Sequence, residues 1–497
     1  MDFLDYMQMS AGQKFAYKLK TFFKNIPSNL AKFFTLFGQK IINLLNTILN
    51  GFVFYGRTFA KGGIGVKLSY LIMGAGNIFK GQIIKGLAFL AVEVLYFLFL
   101  FGFAMQYLSK FFTLGTEGPI EVTDPSGWGT QVIPRDVSMD ILLVSVMAFI
   151  VTIAFFVMYI MNIKSAKKTE DMVKQGKKPK GILEDLKLFL DERFHITLLS
   201  LPIILIICFT ILPIIFTIFI AFTNYDKIHQ KPNLFQWVGF TNFSDVFYGD
   251  PEKSRTFIKI LGWTFVWAIF ATFTNYIGGM ILALLINKKG IKLKGMWRTL
   301  FVITIAIPNF VTLLVMKQLL AEAGTLNLTL KNMGIIDQSL PFLTDANWAR
   351  VVVIIVNMWI GIPYTMLITS GILMNIPEDL YESAKIDGAN AFQTFMKITL
   401  PYMLFVTTPY LISTFVGNIN NFNVIFLLTG GEPKSSDYYS GAGKTDLLVT
   451  WLYKLTATNK DYNLAAVIGI IIFVICAVAA LITYNMSKSA KDEEAFG

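Results

Sequence analysis

The sequence predicts an all-α, polytopic membrane protein with about eight transmembrane helices. Of its 497 residues, 55% are hydrophobic and only 15% are charged, whereas a soluble globular protein carries about 25% charged residues. Crossing a bilayer takes about 20 consecutive, mainly apolar residues, and eight stretches reach that length. They lie near residues 86–108, 139–162, 196–222, 257–286, 299–320, 350–374, 402–428 and 463–486.

The positive charges indicate membrane topology and not nucleic-acid binding. The formal net charge is +11, and the Lys and Arg side chains lie beside the apolar stretches. The connection at 163–195 is rich in lysine, and the connection at 287–298 has basic residues and no acidic one. Cytoplasmic loops of membrane proteins carry an excess of Lys and Arg, so both connections are expected inside the cell. With eight spans, both termini are then expected to be cytoplasmic.

The same sequence divides into four regions. Residues 1–85 form a basic region whose positions 30–48 have an apolar and a polar helical face, which is typical of a helix lying on the inner membrane surface. A helix packed against other spans is the alternative. Residues 86–195 hold two spans and a basic loop, residues 196–486 hold the other six spans, and residues 487–497 form a cytoplasmic tail.

The two cysteines exclude two kinds of site. Cys208 and Cys476 both lie inside apolar spans. Neither a disulfide framework nor a Cys/His metal site is therefore predicted.

Between the sixth and seventh spans, the polar segment 377–401 predicts a helical hairpin. Pro377 suits the first position of a helix, and Gly388 can adopt the left-handed conformation that ends one. Asn390 followed by Gln393 is a form of the capping box that begins a second helix. This second helix is expected to end before Pro401.

Prolines within the spans predict bends, because each removes a helix hydrogen bond. Such bends are frequent in transporters with moving helices, and they also occur in static membrane helices. The prolines are Pro202, Pro213, Pro308, Pro363 and Pro409.

Two stripes of polar and small residues interrupt the apolar sixth and seventh spans. Amides, a hydroxyl and an aromatic ring suit a sugar, because amides exchange hydrogen bonds with hydroxyls and the ring stacks on a pyranose. The alternative is that these groups hydrogen-bond between helices. The stripes comprise Asn357, Ile360, Gly361 and Tyr364 in the sixth span and Thr414, Gly417, Asn418 and Asn421 in the seventh.

The hairpin resembles the EAA loop of permease subunits in binding-protein-dependent ABC importers. The matching residues are Glu382-Ser383-Ala384, Gly388 and 398–401, and Ser383 departs from the usual Ala. In that family the loop faces the cytosol and docks on the ATP-hydrolysing subunit. The resemblance therefore implies ATPase coupling by Glu382, Ser383, Ala384, Asp387, Gly388 and Pro401.

From about residue 230 to 486 the sequence is similar to the MalF family of maltose/maltodextrin permeases. The matching segments are 238–243, 354–364, 418–422 and 445–449. The resemblance implies that the two polar stripes line the sugar site. Gly417 stands where the family has Phe, and Thr414 where it has Ser, so the sugar is expected to be longer than maltose or of another kind.

The resemblance implies a bacterial cell-membrane permease with the MalF-like ABC importer fold. It would import maltose or maltodextrin by alternating access, and it would not be an enzyme or bind a cofactor, since partner subunits hydrolyse ATP. The implied partners are a second, MalG-like permease, a cytoplasmic ABC ATPase dimer, an extracellular sugar-binding protein, the oligosaccharide and membrane lipid, without nucleic acid. The alternatives are a permease for another oligosaccharide, such as a galacto- or raffinose-type sugar, and an ion-coupled secondary transporter.

One segment imitates a nucleotide-binding motif. Residues 441–445 resemble the end of a Walker A loop, but Tyr438 stands where that motif needs its first glycine. The segment is also expected in an external loop, so no ATPase site is predicted in this chain.

Overall fold

A computed structural model describes residues 49–123, 130–133, 135–179, 194–230, 233–288 and 290–486, with scattered positions in 35–47 and 181–191. The apolar face of the amphipathic helix expected at 30–48 lies outside the described residues, as does the tail 487–497. Both remain predictions.

The described chain is mainly helical, which confirms the predicted fold class. Seven helices are long and apolar enough to cross a membrane, and a bent pair brings the number to as many as eight. The spans are Ile83–Leu108 (span 1), Ser138–Lys174 (span 2), Phe194–Ile220 (span 3), Pro251–Asn287 (span 4), Lys294–Ala306 with Asn309–Leu319 (span 5), Ala346–Leu373 (span 6), Ala391–Ile419 (span 7) and Tyr462–Met486 (span 8).

Short elements connect the spans. Two strands, β1 (Ile120–Thr123) and β2 (Thr130–Ile133), pair antiparallel with Ile120 opposite Ile133. π-helical turns lie at Leu100–Ala104 in span 1, Ile207–Ile211 in span 3, Asp245–Gly249 before span 4, Phe395–Thr399 in span 7 and Leu455–Asn459 before span 8, and a 3-10 turn lies at Tyr439–Gly441. The short α-helices are Ile64–Leu68, Ala75–Ile78, Thr241–Ser244, Thr325–Asn332, Glu378–Ile386, Phe422–Leu428 and Leu448–Lys454.

Two long spans begin at aspartate caps that the sequence analysis did not use. Asp250 accepts hydrogen bonds from the backbone N–H groups of Glu252 and Lys253 at the start of span 4. Asp345 does the same for Asn347 and Trp348 at the start of span 6. An aspartate at this position satisfies N–H groups that have no partner within the helix.

The predicted fifth span, 299–320, is present as two helices that meet at the bend predicted for Pro308. The chain bends by 89° between its two halves, and Ile307 and Pro308 have extended backbone conformations. Pro308 has no N–H to continue the helix and disfavours helical geometry at the residue before it. Pro363 and Pro409, in contrast, lie inside spans 6 and 7.

The predicted bounds of the seventh span, 402–428, are wrong at both ends. The hairpin's second helix does not stop before Pro401: it continues through a π turn in which Leu400 N–H bonds to Phe395 O. Pro401, which has no N–H, lies in the first turn of the helical segment that follows this π turn. The span then ends at Ile419, and Asn421 caps a separate helix.

The described residues form two compact units. One comprises described residues up to Gln106 together with Met147–Ile206, and the other comprises Tyr107–Val146 with described residues from Ile207 onward. In the first unit, polar side chains hold a tight turn that precedes span 1. Glu93 accepts from Met73 N–H at 2.8 Å, and Asn162 accepts from Gly74 N–H at 2.8 Å.

The second unit is built around span 4, which packs against spans 6 and 7. Its apolar core brings together residues of spans 4, 5 and 6 and of the segment after span 7. The buried members are Trp263, Trp267, Ala271, Leu313, Leu320, Val352, Val353, Val356, Val424, Ile425, Leu428 and Leu447.

The turn before span 1 generates the first prediction. Gly74 and Gly81 both have left-handed backbone, with φ of 85° and 86°, but a Cβ at Gly74 would lie 1.9 Å from the carbonyl oxygen of Gly86, whereas a Cβ at Gly81 meets nothing within 4 Å. Gly81→Ala should cost about 1–2 kcal/mol of unfolding free energy through its backbone alone. Gly74→Ala should cost about 1–3 kcal/mol more, because two backbones must separate.

Thermal unfolding of the purified chain in detergent, followed by circular dichroism, measures the difference. The expected order of midpoint temperatures is wild type, then Gly81→Ala, then Gly74→Ala. Equal midpoints for the two variants would contradict the described contact.

Candidate functional site

The segment between spans 6 and 7 forms the predicted helical hairpin. The helix Glu378–Ile386 follows Pro377, and Gly388 has a φ of 72°. Asn390 and Gln393 make both bonds of a capping box at the start of the second helix. The turn residues therefore act as the sequence analysis expected.

Most of the residues assigned to ATPase coupling lie on the surface of this hairpin. Ala384 is buried and packs inward, whereas Glu382, Ser383, Asp387, Gly388 and Pro401 are exposed. Their neighbours Ile386 and Phe392 are 86% and 71% exposed. Exposed apolar side chains surrounded by polar ones are typical of a surface that contacts another protein.

A hydroxyl pair joins the two arms of the hairpin. The Tyr381 hydroxyl lies 3.0 Å from Thr399 Oγ1. Behind these arms is a cavity of about 980 Å³, which the ends of spans 4 and 6 also line through Asn287 and Leu373. The hydroxyl contact thus holds the two arms of the hairpin together, and a cavity separates part of the hairpin from the ends of spans 4 and 6.

The stripe on span 6 is partly buried and partly exposed. Asn357 is 5% exposed, whereas the Tyr364 side chain is 52% exposed. Ile360 and Gly361 are intermediate. Gly361 leaves no room for a side chain, because an added Cβ would lie 2.2 Å from Nδ2 of Asn275 in span 4.

The stripe on span 7 shows the same division. Gly417 is exposed, and a Cβ there would meet nothing within 4 Å. Asn418 is buried: its Nδ2 donates to Thr272 Oγ1 at 3.0 Å, and its Oδ1 accepts from Asn421 Nδ2 at 3.3 Å. Asn421 also caps the next helix, and Thr414 is half-buried. The Asn418 amide therefore joins spans 4 and 7 in this structure.

A contact between spans 6 and 7 sets the relative level of the stripes. The Thr365 hydroxyl lies 3.2 Å from the Tyr410 hydroxyl. The hairpin makes the two helices run in opposite directions, so one turn away from it leads from Thr365 to Gly361 and from Tyr410 to Thr414. A second turn leads to Asn357 and Asn418. The two stripes therefore lie at matching depth.

Span 4 contributes polar residues that the sequence analysis missed. Trp267 Nε1 donates to the backbone carbonyl of Asn418 at 3.0 Å. The Thr272 hydroxyl accepts from the Asn418 side chain, and the Asn275 amide packs against Gly361. A detectable signal was present, since Thr264, Thr272, Asn275 and Gly279 are polar or small residues at helical spacing in an apolar run.

A separate cavity of about 700 Å³ lies between spans 5 and 6. Its lining includes Trp297, Phe301, Trp348 and Trp359, and none of the eight stripe residues is part of it. The lining is apolar, which suits lipid chains or another membrane helix and offers few partners to sugar hydroxyls.

The segment 441–445 does not form a phosphate-binding loop. A short 3-10 turn at Tyr439–Gly441 precedes it, whereas a Walker A loop follows a strand. The Lys444 ammonium lies 4.1 Å from the centroid of the Tyr438 ring, and the Thr445 hydroxyl donates to Glu432 O. Within the described parts of the chain, no group of three or more His, Cys, Asp or Glu side chains could hold a metal ion.

Comparison with known proteins places these features in a family. Residues 275–492 match the family described as the binding-protein-dependent transport system inner membrane component. The chain is 35% identical to the galactooligosaccharides transport system permease protein GanP of Bacillus subtilis, over 85% of this chain and 97% of that protein. It is also 35% identical to the maltodextrin transport system permease protein MdxF of the same organism, over 85% of this chain and 95% of that protein.

Two further matches are partial. The chain is 35% identical to the maltose/maltodextrin transport system permease protein MalF of Escherichia coli, over 54% of this chain and 52% of that protein. A crystal structure of a bacterial alginate ABC transporter, in complex with an alginate pentasaccharide-bound periplasmic protein, has a chain that matches 61% of this one with 24% identity and a TM-score of 0.49.

The similarity to GanP and MdxF covers most of this chain and almost all of both relatives. Permeases of this class are the transport components of binding-protein-dependent ABC importers, which also contain ATPase subunits and a binding protein. The chain belongs to the MalF-like membrane permeases of sugar ABC importers and has no ATPase site of its own.

Proposed function

We propose that this permease imports maltodextrin-type oligosaccharides, with the sugar bound between spans 6 and 7. The observation that carries the proposal is the pair of uncharged stripes at matching depth, in which the Tyr364 ring is exposed. The stripes contain amides, a hydroxyl and an aromatic ring, which match the hydroxyls and apolar faces of a neutral sugar.

The exposed residues would form the front of the site. Tyr364 is 52% exposed and can stack on a sugar ring. Gly417 is also exposed and has open space beside it. Such space admits a bulky ligand, which favours an oligosaccharide longer than maltose.

The relatives supply a second candidate sugar. MdxF and GanP are equally similar to this chain, and their names give maltodextrin and galactooligosaccharides as the transported sugars. The MalF-like pattern of the stripes favours an α-glucan, and the missing aromatic side chain at Gly417 leaves a galactooligosaccharide as the alternative.

The proposed complex contains a second, MalG-like permease, a cytoplasmic dimer of ABC ATPases and an extracellular sugar-binding protein. Both termini and the hairpin at 377–401 would face the cytoplasm, where Glu382, Ser383, Ala384, Asp387, Gly388 and Pro401 meet the ATPase. ATP-driven closure of the ATPases would move the hairpin and open the site to the delivered sugar. The chain itself would bind no cofactor.

Substitution of Gly417 tests the position and size of the site. Gly417→Phe should insert without a clash, because a Cβ at this position meets nothing. The ring should narrow the site and lower uptake of maltopentaose at least tenfold relative to maltose. Uptake of labelled sugars by cells lacking the chain, complemented with either form, measures this ratio, and Gly262→Phe is a control at another helical glycine with open space.

Either of two results would contradict this proposal. If wild type restores uptake of galactotriose and not of maltotriose, the sugar is a galactooligosaccharide. If Gly417→Phe leaves the ratio of long to short sugars unchanged, the sugar does not pass Gly417.

The hairpin generates a further prediction. Gly388→Val should preserve membrane insertion but lower sugar uptake at least tenfold, because valine strains the left-handed turn that orients the two arms. Gly290→Val is the matched control, since Gly290 also has positive φ and no atom near its missing Cβ. ATP hydrolysis and uptake are measured together in proteoliposomes containing the complex. Normal uptake in Gly388→Val would disprove the coupling role.

A further inference from the structure

Two buried amides beside the stripes have atoms without hydrogen-bond partners. Asn275 of span 4 is 8% exposed and Asn357 of span 6 is 5% exposed. Oδ1 of Asn275 and Nδ2 of Asn357 are both buried and unbonded. Buried polar groups in proteins almost always have a partner, so these two atoms are candidates for binding a ligand.

Both amides lie at nearby levels of span 6. An ideal Cβ at Gly361 would lie 2.2 Å from Nδ2 and 2.8 Å from Oδ1 of Asn275, so the Asn275 amide lies directly on the span 6 backbone. Asn357 precedes Gly361 by one helical turn, which is about 5.4 Å along the axis. The two amides therefore belong to levels of span 6 that are about one helical turn apart.

Nearby polar groups already have partners. The Thr365 hydroxyl donates to Gly361 O at 3.0 Å and lies 3.2 Å from the Tyr410 hydroxyl. The Thr272 hydroxyl accepts from Asn418 at 3.0 Å. Neither of these hydroxyls is bonded to the unpartnered atoms of Asn275 and Asn357.

The chemistry of the two atoms selects their ligand. Asn275 offers an acceptor and Asn357 offers a donor, and a hydroxyl can donate one hydrogen bond while accepting another. A carboxylate only accepts and an ammonium only donates, so neither matches both atoms. Among the substituents of a sugar, a neutral hydroxyl matches both atoms.

We propose that Asn275 is a further sugar-binding residue, which together with Asn357 receives one hydroxyl of the transported oligosaccharide. Span 4 then supplies part of the site directly, in addition to holding the Asn418 amide. This inference rests on the proposed function, since it requires that the chain transports an oligosaccharide.

The test removes either the Asn275 amide, by substitution, or one hydroxyl of the sugar, by the use of a deoxy analogue. Asn275→Leu deletes the acceptor at similar volume, and Asn275→Ala deletes it without overfilling the contact with Gly361. Thr274→Val is the control on the same helix, because the Thr274 hydroxyl bonds within the helix to Phe270 O. Uptake is measured for maltotriose and galactotriose and for analogues that each lack one hydroxyl.

Wild type should take up the parent sugar about tenfold better than one of these analogues, the scale of one lost hydrogen bond. Both Asn275 variants should take up that analogue as well as they take up the parent sugar. Their preference for the parent sugar over the other analogues should stay as in wild type, and Thr274→Val should behave like wild type throughout. If the Asn275 variants lower uptake of every analogue by the same factor, Asn275 has only a structural role and the inference is overturned.

The two proposals can fail separately. Uptake of galactotriose without maltotriose would overturn the maltodextrin assignment, and the Asn275 comparison would then be made with deoxygalactotrioses. Uptake of neither parent sugar by wild type, in a complex that hydrolyses ATP, would overturn both proposals.

Discussion

The close approach of span 4 to span 6 is the constraint on which the larger unit depends. Glycines make it possible: Gly361 faces the Asn275 amide, and a Cβ at Gly279 would lie 2.6 Å from Thr365 Cβ. Small residues allow membrane helices to approach, and dispersion contacts and hydrogen bonds then hold them together. Because lipid tails offer no hydrogen bonds, polar side chains in these spans bond to the backbone, to each other, to water or to a ligand. The packing of span 4 against span 6 therefore determines which amides have hydrogen-bond partners within the protein and which do not.

Much of this architecture follows from the sequence. Long apolar stretches can lie in a bilayer only as helices that satisfy their own backbone, so the number of spans was predictable. The hairpin was predictable for a local reason: Gly388 adopts the left-handed conformation, and Asn390 and Gln393 make the capping box. These features depend on neighbours within a few residues along the chain.

Other features were not predicted, some of them local and some set by contacts between distant segments. The apolar run 402–428 continues past Ile419, yet the helix ends there because Asn421 caps a new one. Pro308 breaks span 5, whereas Pro363 is accommodated within span 6. The Asn418 amide bonds to Thr272, which lies 146 residues away in the chain. Side-chain partners across helices are set by packing, which periodicity does not encode.

We propose that the sugar binds between spans 6 and 7, beside the Asn275 amide of span 4. A cryo-electron microscopy structure of the complete complex with maltotriose, trapped with ATP in a hydrolysis-deficient form, tests it most directly. The account predicts sugar density stacked on Tyr364 beside Gly417, with one hydroxyl reaching Asn275 and Asn357. Density confined to the apolar cavity between spans 5 and 6, or no contact with either stripe, would contradict it.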